Sequence, residues 1–396
     1  FRPKETISRF MEDFRMVLNC HRERTFLLKN QPHLTNWLPI AVPMDKWLIW
    51  PAPFNYPPAA LGPLGLFPLF FKFYDFLGGF SSPPSHIMTK SRARRKFPML
   101  SLDNLKYASV FYEGQHDDAR TNLAIAQTAG REGAAMANYC NVESLIRENP
   151  NGKNNEEKGK VIGAIVRDEI TGDTFQIKSK SVLFCGGPFT DDLRKMEDSS
   201  CKPAVDGASG IHIVLPSYYA PKGMGMVDMS TSDGRFLFFI PWEGHVVIGT
   251  TDHRADPSMR PIPAEAEIRW LLNEAAKYLD PELKVRRSDV LSAWSGIRPL
   301  AVDPNASSSA QASRDHVVSY NATTGAVFVS GGKWTTYREM AEDAIDKMIE
   351  VTPSLKEYVR FPCMTLNTNL VGKQGYSRNL DLKLIQEYGL APSVAE

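Results

Sequence analysis

The segment Ser330-Gly331-Gly332-Lys333-Trp334-Thr335-Thr336-Tyr337 joins two stretches of different hydrophobic period. Before it, Ala326-Val327-Phe328-Val329 is an apolar run that reads as a buried strand. After it, Met340, Ala344, Ile345, Met348 and Ile349 recur at helical spacing through Arg338 to Val351. A strand therefore runs into a Gly-Gly turn, and the turn opens a helix. Glycine admits positive φ and close approach of the backbone. A helix start offers unpaired N–H groups at the positive end of the helix dipole, suited to a phosphate or an electron-rich ring edge. Lys333, Thr335 and Thr336 add donors. The plainer reading is a tight turn and nothing more, and the segment alone supports both.

At 396 residues the chain is long enough for two or three domains. Hydrophobic content of 43% and charged content of 23% are those of a soluble globular protein. A net charge of +1 argues against a nucleic-acid binder. The five cysteines (Cys20, Cys140, Cys185, Cys201, Cys363) form no CxxC pair, so neither a disulfide framework nor a metal site is expected. No signal or transit peptide is read, and the chain begins with Phe1 instead of Met.

Residues 4 to 30 read as a long helix, with Ile7, Phe10, Met11, Phe14, Val17 and Leu18 at 3- and 4-residue steps. From Leu48 to Phe71 there is no charge, a length that suggests a membrane span. Six prolines in those 24 residues argue against a regular spanning helix. A Pro-rich surface loop or an interfacial patch fits better, the aromatic cluster Phe67 to Phe76 giving an apolar surface for a membrane or a partner. The alternative is packing under other parts of the protein. Asp117 is placed to cap a helix running to Gly133, and Ala135 to Val142 reads as a following strand, half of a βαβ crossover.

Lys160–Val166 and Thr174–Ile177 flank Thr171-Gly172-Asp173 as an antiparallel hairpin. Ser181 to Pro188 is a buried strand ending in Gly186 and Gly187. Ile211–Leu215, Gly225–Met229, Phe236–Ile240 and His245–Gly249 read as an antiparallel meander, with an amphipathic helix from Pro263 to Leu279 over it. The change of architecture marks a second domain. The fold class is α/β, α+β overall.

Five motifs stand in a familiar order: Gly210–Pro216, Pro241-Trp242, Ile248–Asp252, Trp294–Leu300 and Ser330–Tyr337. From about Ser8 to about Val351 the chain resembles FAD-dependent glycerol-3-phosphate dehydrogenase, the membrane-associated respiratory enzyme, most of all its mitochondrial form. The resemblance implies a doubly wound FAD-binding domain and an antiparallel substrate domain. It also implies sn-glycerol 3-phosphate as substrate, quinone as electron acceptor, the mitochondrial inner membrane as the surface, and room for a homodimer. No GxGxxG turn occurs in the first 60 residues, so an internal fragment is expected, with a degenerate protein as the rival. The expected division is a helical and Pro-rich part at 1–100, cofactor domain at 101–200, substrate domain at 201–315, a return to the cofactor domain at 316–351, and the start of a further domain at 352–396.

Carried over residue by residue, the resemblance gives cofactor contacts at Val142, Gly186, Gly187, Gly331, Gly332, Lys333, Trp334, Thr335 and Thr336. It gives substrate contacts at Arg298, Arg314 and Lys333, and catalytic roles to His212 and Arg298. The chemistry suits these types: alcohol oxidation needs a proton acceptor, and a phosphate monoester favours Arg and Lys. A base with a pKa near neutrality is expected at His212. Each has a plainer reading. His212 projects from an apolar strand as structural histidines do, Arg298 is a candidate ion-pair partner of Asp303, and Arg314 adjoins Asp315. Asp252 is a candidate to orient a neighbouring arginine. The competing functions are an oxidase that passes electrons to oxygen and a non-catalytic membrane-associated fragment.

Overall fold

The computed structural model describes residues 3–45, 67–101, 103, 105–148, 159–229, 231–232, 235–302 and 315–395. Its centre is a nine-stranded sheet. The strands are β1 (Thr35–Met44), β2 (His86–Thr89), β3 (Tyr107–His116), β8 (Val205–Pro216), β9 (Gly225–Asp228), β10 (Leu237–Trp242), β11 (His245–Gly249), β12 (His253–Arg254) and β13 (Ser292–Ala301). The order is β12-β8-β11-β10-β9-β1-β3-β2, with β13 also paired to β8. Two three-stranded sheets complete the fold. One is β14 (His316–Tyr320), β15 (Val327–Gly331) and β7 (Leu183–Phe184); the other is β4 (Cys140–Arg147), β5 (Val161–Asp168) and β6 (Thr174–Lys178).

The expected hairpin is β5–β6, in register Arg167↔Thr174. The expected meander is antiparallel from β9 to β11, but β8 does not precede β9 in the sheet. It lies beyond β11, pairing His212 with Gly249, and β9 turns its other edge to β1. β3 lies past the expected boundary at residue 100, yet it pairs with β1 over its whole length, Thr35↔His116 to Met44↔Tyr107.

The βαβ crossover after Asp117 is corrected. Asp117 does cap the helix Asp118–Arg131, its side chain accepting from the Arg120 N–H at 2.9 Å. The strand that follows begins only at Cys140 and pairs antiparallel with β5 in a different sheet from β3. Adjacent sequence favours the local pairing over a return to the large sheet. Among the described residues, parallel pairing is confined to β7–β15 and β1–β9.

Alternation along β8 buries Ile211, Ile213 and Leu215 completely and turns His212 to the other face. The buried face meets Val246, Ile248 and Phe239 and is roofed by the helix Glu265–Ala276 through Ile268, Leu271, Leu272 and Ala275. Each such side chain contributes roughly 1.5–3 kcal/mol by leaving water, which holds β8 in register and therefore holds His212 outward.

The helix Pro3–Asn30 forms as its periodicity predicts, but Met11 and Leu18 stand exposed. Among its described side chains the buried ones lie in the last third, where Glu23 receives two hydrogen bonds from the Arg338 guanidinium, at 2.9 and 2.8 Å. The uncharged stretch from Leu48 to Leu66 lies outside the described residues. Beyond it, the helix Phe67–Leu77 packs Phe71 against Leu38, Ile40 and Val42. Among the described residues no helix is long and apolar enough to cross a membrane.

Candidate active site

The site assembles on the sheet face opposite the Ile211–Ile213 core. His212 is flanked by two directly paired neighbours, Gly249 on β11 and Trp294 on β13. The Trp294 indole stacks on the imidazole, centroids 5.4 Å apart and planes 14° apart. On the other side there is room only for hydrogen. A Cβ at Gly249 would lie 2.3 Å from Cδ2 of His212. Burial, and then the charge of Arg298, lower the His212 pKa to about 4. The expectation of a near-neutral base is corrected accordingly: the imidazole is uncharged at pH 7 but holds a proton weakly.

Arg298 follows Trp294 by four residues on β13 and shares its face. Its guanidinium donates to Thr250 Oγ1 at 2.8 Å and meets Asp252 Oδ1 at 3.5 Å. Asp252 is thus the ion-pair partner; Asp303 lies outside the described residues. The fork lies over Gly210, where a Cβ would come within 2.4 Å of a guanidinium nitrogen. Thr251, buried, accepts from the Ile211 N–H at 3.0 Å and donates to Glu267 Oε1 at 2.6 Å. These bonds fix the turn that carries Thr250 and Asp252.

The turn at 331–336 meets the far end of β13: a Cβ at Gly331 would lie 2.5 Å from that of Ala301, the last residue of that strand. Gly331 and Gly332 have φ of 72° and 84°, which only glycine adopts readily, and Met340 and His316 crowd the second. Trp334–Thr336 is a short 3-10 turn leading into the helix Tyr337–Val351. The Lys333 ammonium lies 3.8 Å from Cys20 Sγ on the first helix. Gly186 and Gly187 follow β7 after Cys185 and lead into the helix Thr190–Glu197. β7 and β15 are parallel neighbours, so both glycine turns leave from carboxyl ends of adjacent strands.

Val142 lies beside an irregularity in the pairing of β4 with β5, in a sheet whose Leu145 packs against the core cluster that holds Phe184 of β7. Arg314 lies outside the described residues. Sequence reasoning assigned nothing to Gly210, Gly249 and Trp294 individually. The available signal was glycine inside alternating strands, which marks close approach of another group.

A dinucleotide fits what is present. Carboxyl ends of adjacent parallel strands are where such ligands bind. Gly187 has open space where a side chain would stand. The first N–H groups of the turn at Trp334 have no acceptor within their own helix.

Comparison with known proteins agrees with this arrangement. The sequence profile of the FAD dependent oxidoreductase family matches residues 67–359. Glycerol-3-phosphate dehydrogenase, mitochondrial, of Mesocricetus auratus is 44% identical over 98% of this chain and 50% of its own length. The human protein of the same name is 43% identical over the same shares. The chain thus spans about half the length of the curated relatives it matches. The structure of glycerol-3-phosphate dehydrogenase from Bacillus halodurans, complexed with FAD, aligns with a TM-score of 0.71 at 27% identity, over 95% of this chain and 64% of that one. The L-alpha-glycerophosphate oxidase of Mycoplasma pneumoniae, at 12% identity and a TM-score of 0.55 over 89% of this chain and 83% of that one, shares the fold. With the profile covering most of its length and the glycine turns placed for a dinucleotide, the chain belongs to the FAD-dependent oxidoreductase family.

Proposed function

We propose that the protein carrying this chain oxidises sn-glycerol 3-phosphate to dihydroxyacetone phosphate and passes the electrons to membrane quinone at the mitochondrial inner membrane. The observation that carries this reading is the placing of an uncharged imidazole, His212, and a guanidinium, Arg298, on one sheet face, with Arg298 lying over Gly210 next to His212. The similarity to mitochondrial glycerol-3-phosphate dehydrogenases supports the substrate and the compartment.

FAD, when bound, supplies the acceptor for the hydride leaving the substrate carbon. The chain's own residues do the rest. Arg298 and Lys333 attract the phosphorylated substrate and offset its charge. His212 takes the hydroxyl proton. Arg298 also stabilises negative charge developing on that oxygen, which lessens the burden on a weak base. Gly186, Gly187 and the turn from Gly331 to Thr336 give the cofactor backbone contact, as part of a doubly wound domain that includes the β7–β15 pair. Val142 contributes through the sheet beside it, and Arg314 adds a second anchor for the phosphate. Leu69 and Phe76 on the helix Phe67–Leu77, and Phe80 just beyond it, are exposed apolar groups that support a lipid-facing surface.

The test is single-turnover reduction of the flavin in the holoenzyme. sn-Glycerol 3-phosphate should bleach it, with reoxidation faster by a soluble quinone than by oxygen. A flavin that stays oxidised would refute the reaction; faster reoxidation by oxygen would favour an oxidase.

A further inference from the structure

Glycine inside a strand is a weak residue, tolerated where something must come close to the backbone. Gly249 is bare to admit His212, and Gly210 to admit Arg298. Gly296 has no such explanation. It sits in β13 opposite Gly210, has no positive φ, and has no heavy atom within 4 Å of where its Cβ would stand. Every other strand glycine among the described residues has either a positive φ or a neighbour within that distance.

The open space is placed with purpose. Alternation sets Gly296 on the same face as Trp294 and Arg298, two residues to either side. Across the strand pair, the Arg298 guanidinium lies over Gly210, and His212 is the next residue on that face. The floor at Gly296 is thus bounded by a cation, an aromatic wall and a proton acceptor.

We infer that the bare backbone at Gly296 receives the uncharged carbon end of a small phosphorylated polyol, so that Gly296 limits how bulky that end can be. The inference rests on the reaction proposed above. No atom of the described residues lies within 4 Å of that point, so a side chain there should collide with the substrate and not with the described fold.

The experiment compares Gly296→Ala and Gly296→Val with wild type as full-length holoenzymes. Four quantities are measured: FAD content, Tm, kinetics with sn-glycerol 3-phosphate, and inhibition by inorganic phosphate. The expected result is a graded loss of kcat/KM, about tenfold or more for the valine variant, the scale of one or two misplaced methyl groups in a pocket. FAD content, Tm and phosphate inhibition should stay as in wild type. Unchanged kinetics in both variants overturn the inference alone. Loss of FAD or of Tm overturns it by assigning the space to the cofactor or the fold. A wild-type holoenzyme inert toward the substrate overturns the proposed reaction and this inference together.

Discussion

The imidazole of His212 lies parallel to the indole of Trp294 on one side and against the backbone of Gly249 on the other. This confinement, with Arg298 nearby, sets the acid–base behaviour of the site.

The free enzyme's kcat/KM should therefore be level from pH 5 to 8 in respect of His212 and fall only as pH approaches about 4. Substrate phosphate beside Arg298 offsets its charge, so the acid limb of kcat should lie at higher pH than that of kcat/KM. His212→Asn should remove the limb and slow flavin reduction by ~10²–10⁴-fold with FAD content unchanged. Stopped-flow flavin bleaching across pH measures all three; a mutant with the wild-type rate and limb would place the base elsewhere.

Arg298→Ala should weaken use of sn-glycerol 3-phosphate far more than use of glycerol. Loss of a charge-assisted phosphate contact costs about 1.5–3 kcal/mol, roughly ten- to hundred-fold. Steady-state kinetics with both substrates decides it, and equal losses would make the residue structural.

Gly249→Ala places a methyl group 2.3 Å from Cδ2 of His212, with the backbone of β11 held by its neighbours. The imidazole must leave its position against Trp294, or the strands must part. Overpacking of this kind costs about 1–3 kcal/mol. The expected outcome is a lowered Tm together with slowed flavin reduction, read by thermal melts and single-turnover kinetics. A variant that is both fully stable and fully active would mean that the ring moves freely.

Stability should fall in acid through two histidines. His21 and His212 both have folded pKa values lowered to about 4, chiefly by burial. The unfolded chain takes up these protons near pH 6.5 while the folded chain does not. Their contribution is complete above pH 6.5 and is lost as pH falls toward 4. His21→Gln should flatten part of the slope of Tm against pH in that window, relative to wild type. An unaltered slope would show that carboxylates alone govern it.

Local signals in the chain were enough for much of the fold. Glycine and aspartate at turns, period-2 alternation in β8 and the 3.6 period of the helix Tyr337–Val351 are written in neighbouring residues, where steric and capping preferences act. The same locality made His212 legible as a side chain facing away from Ile211 and Ile213, and the Gly331–Gly332 turn legible as a strand end.

Only the tertiary structure decided what these pieces meet. β8 lies beside β11 and not before β9, because strand order is set by burial across the whole sheet. β4 joins β5 and leaves β3, removing the expected crossover. The arginine that Asp252 is expected to orient is Arg298, 46 residues on, and not one close in the sequence. The pKa of His212 depends on solvent excluded by Trp294 and Gly249, which come from two other strands. Alternation and turns are properties of a few consecutive residues, whereas cross-strand distance and desolvation exist only once the sheet has closed around them.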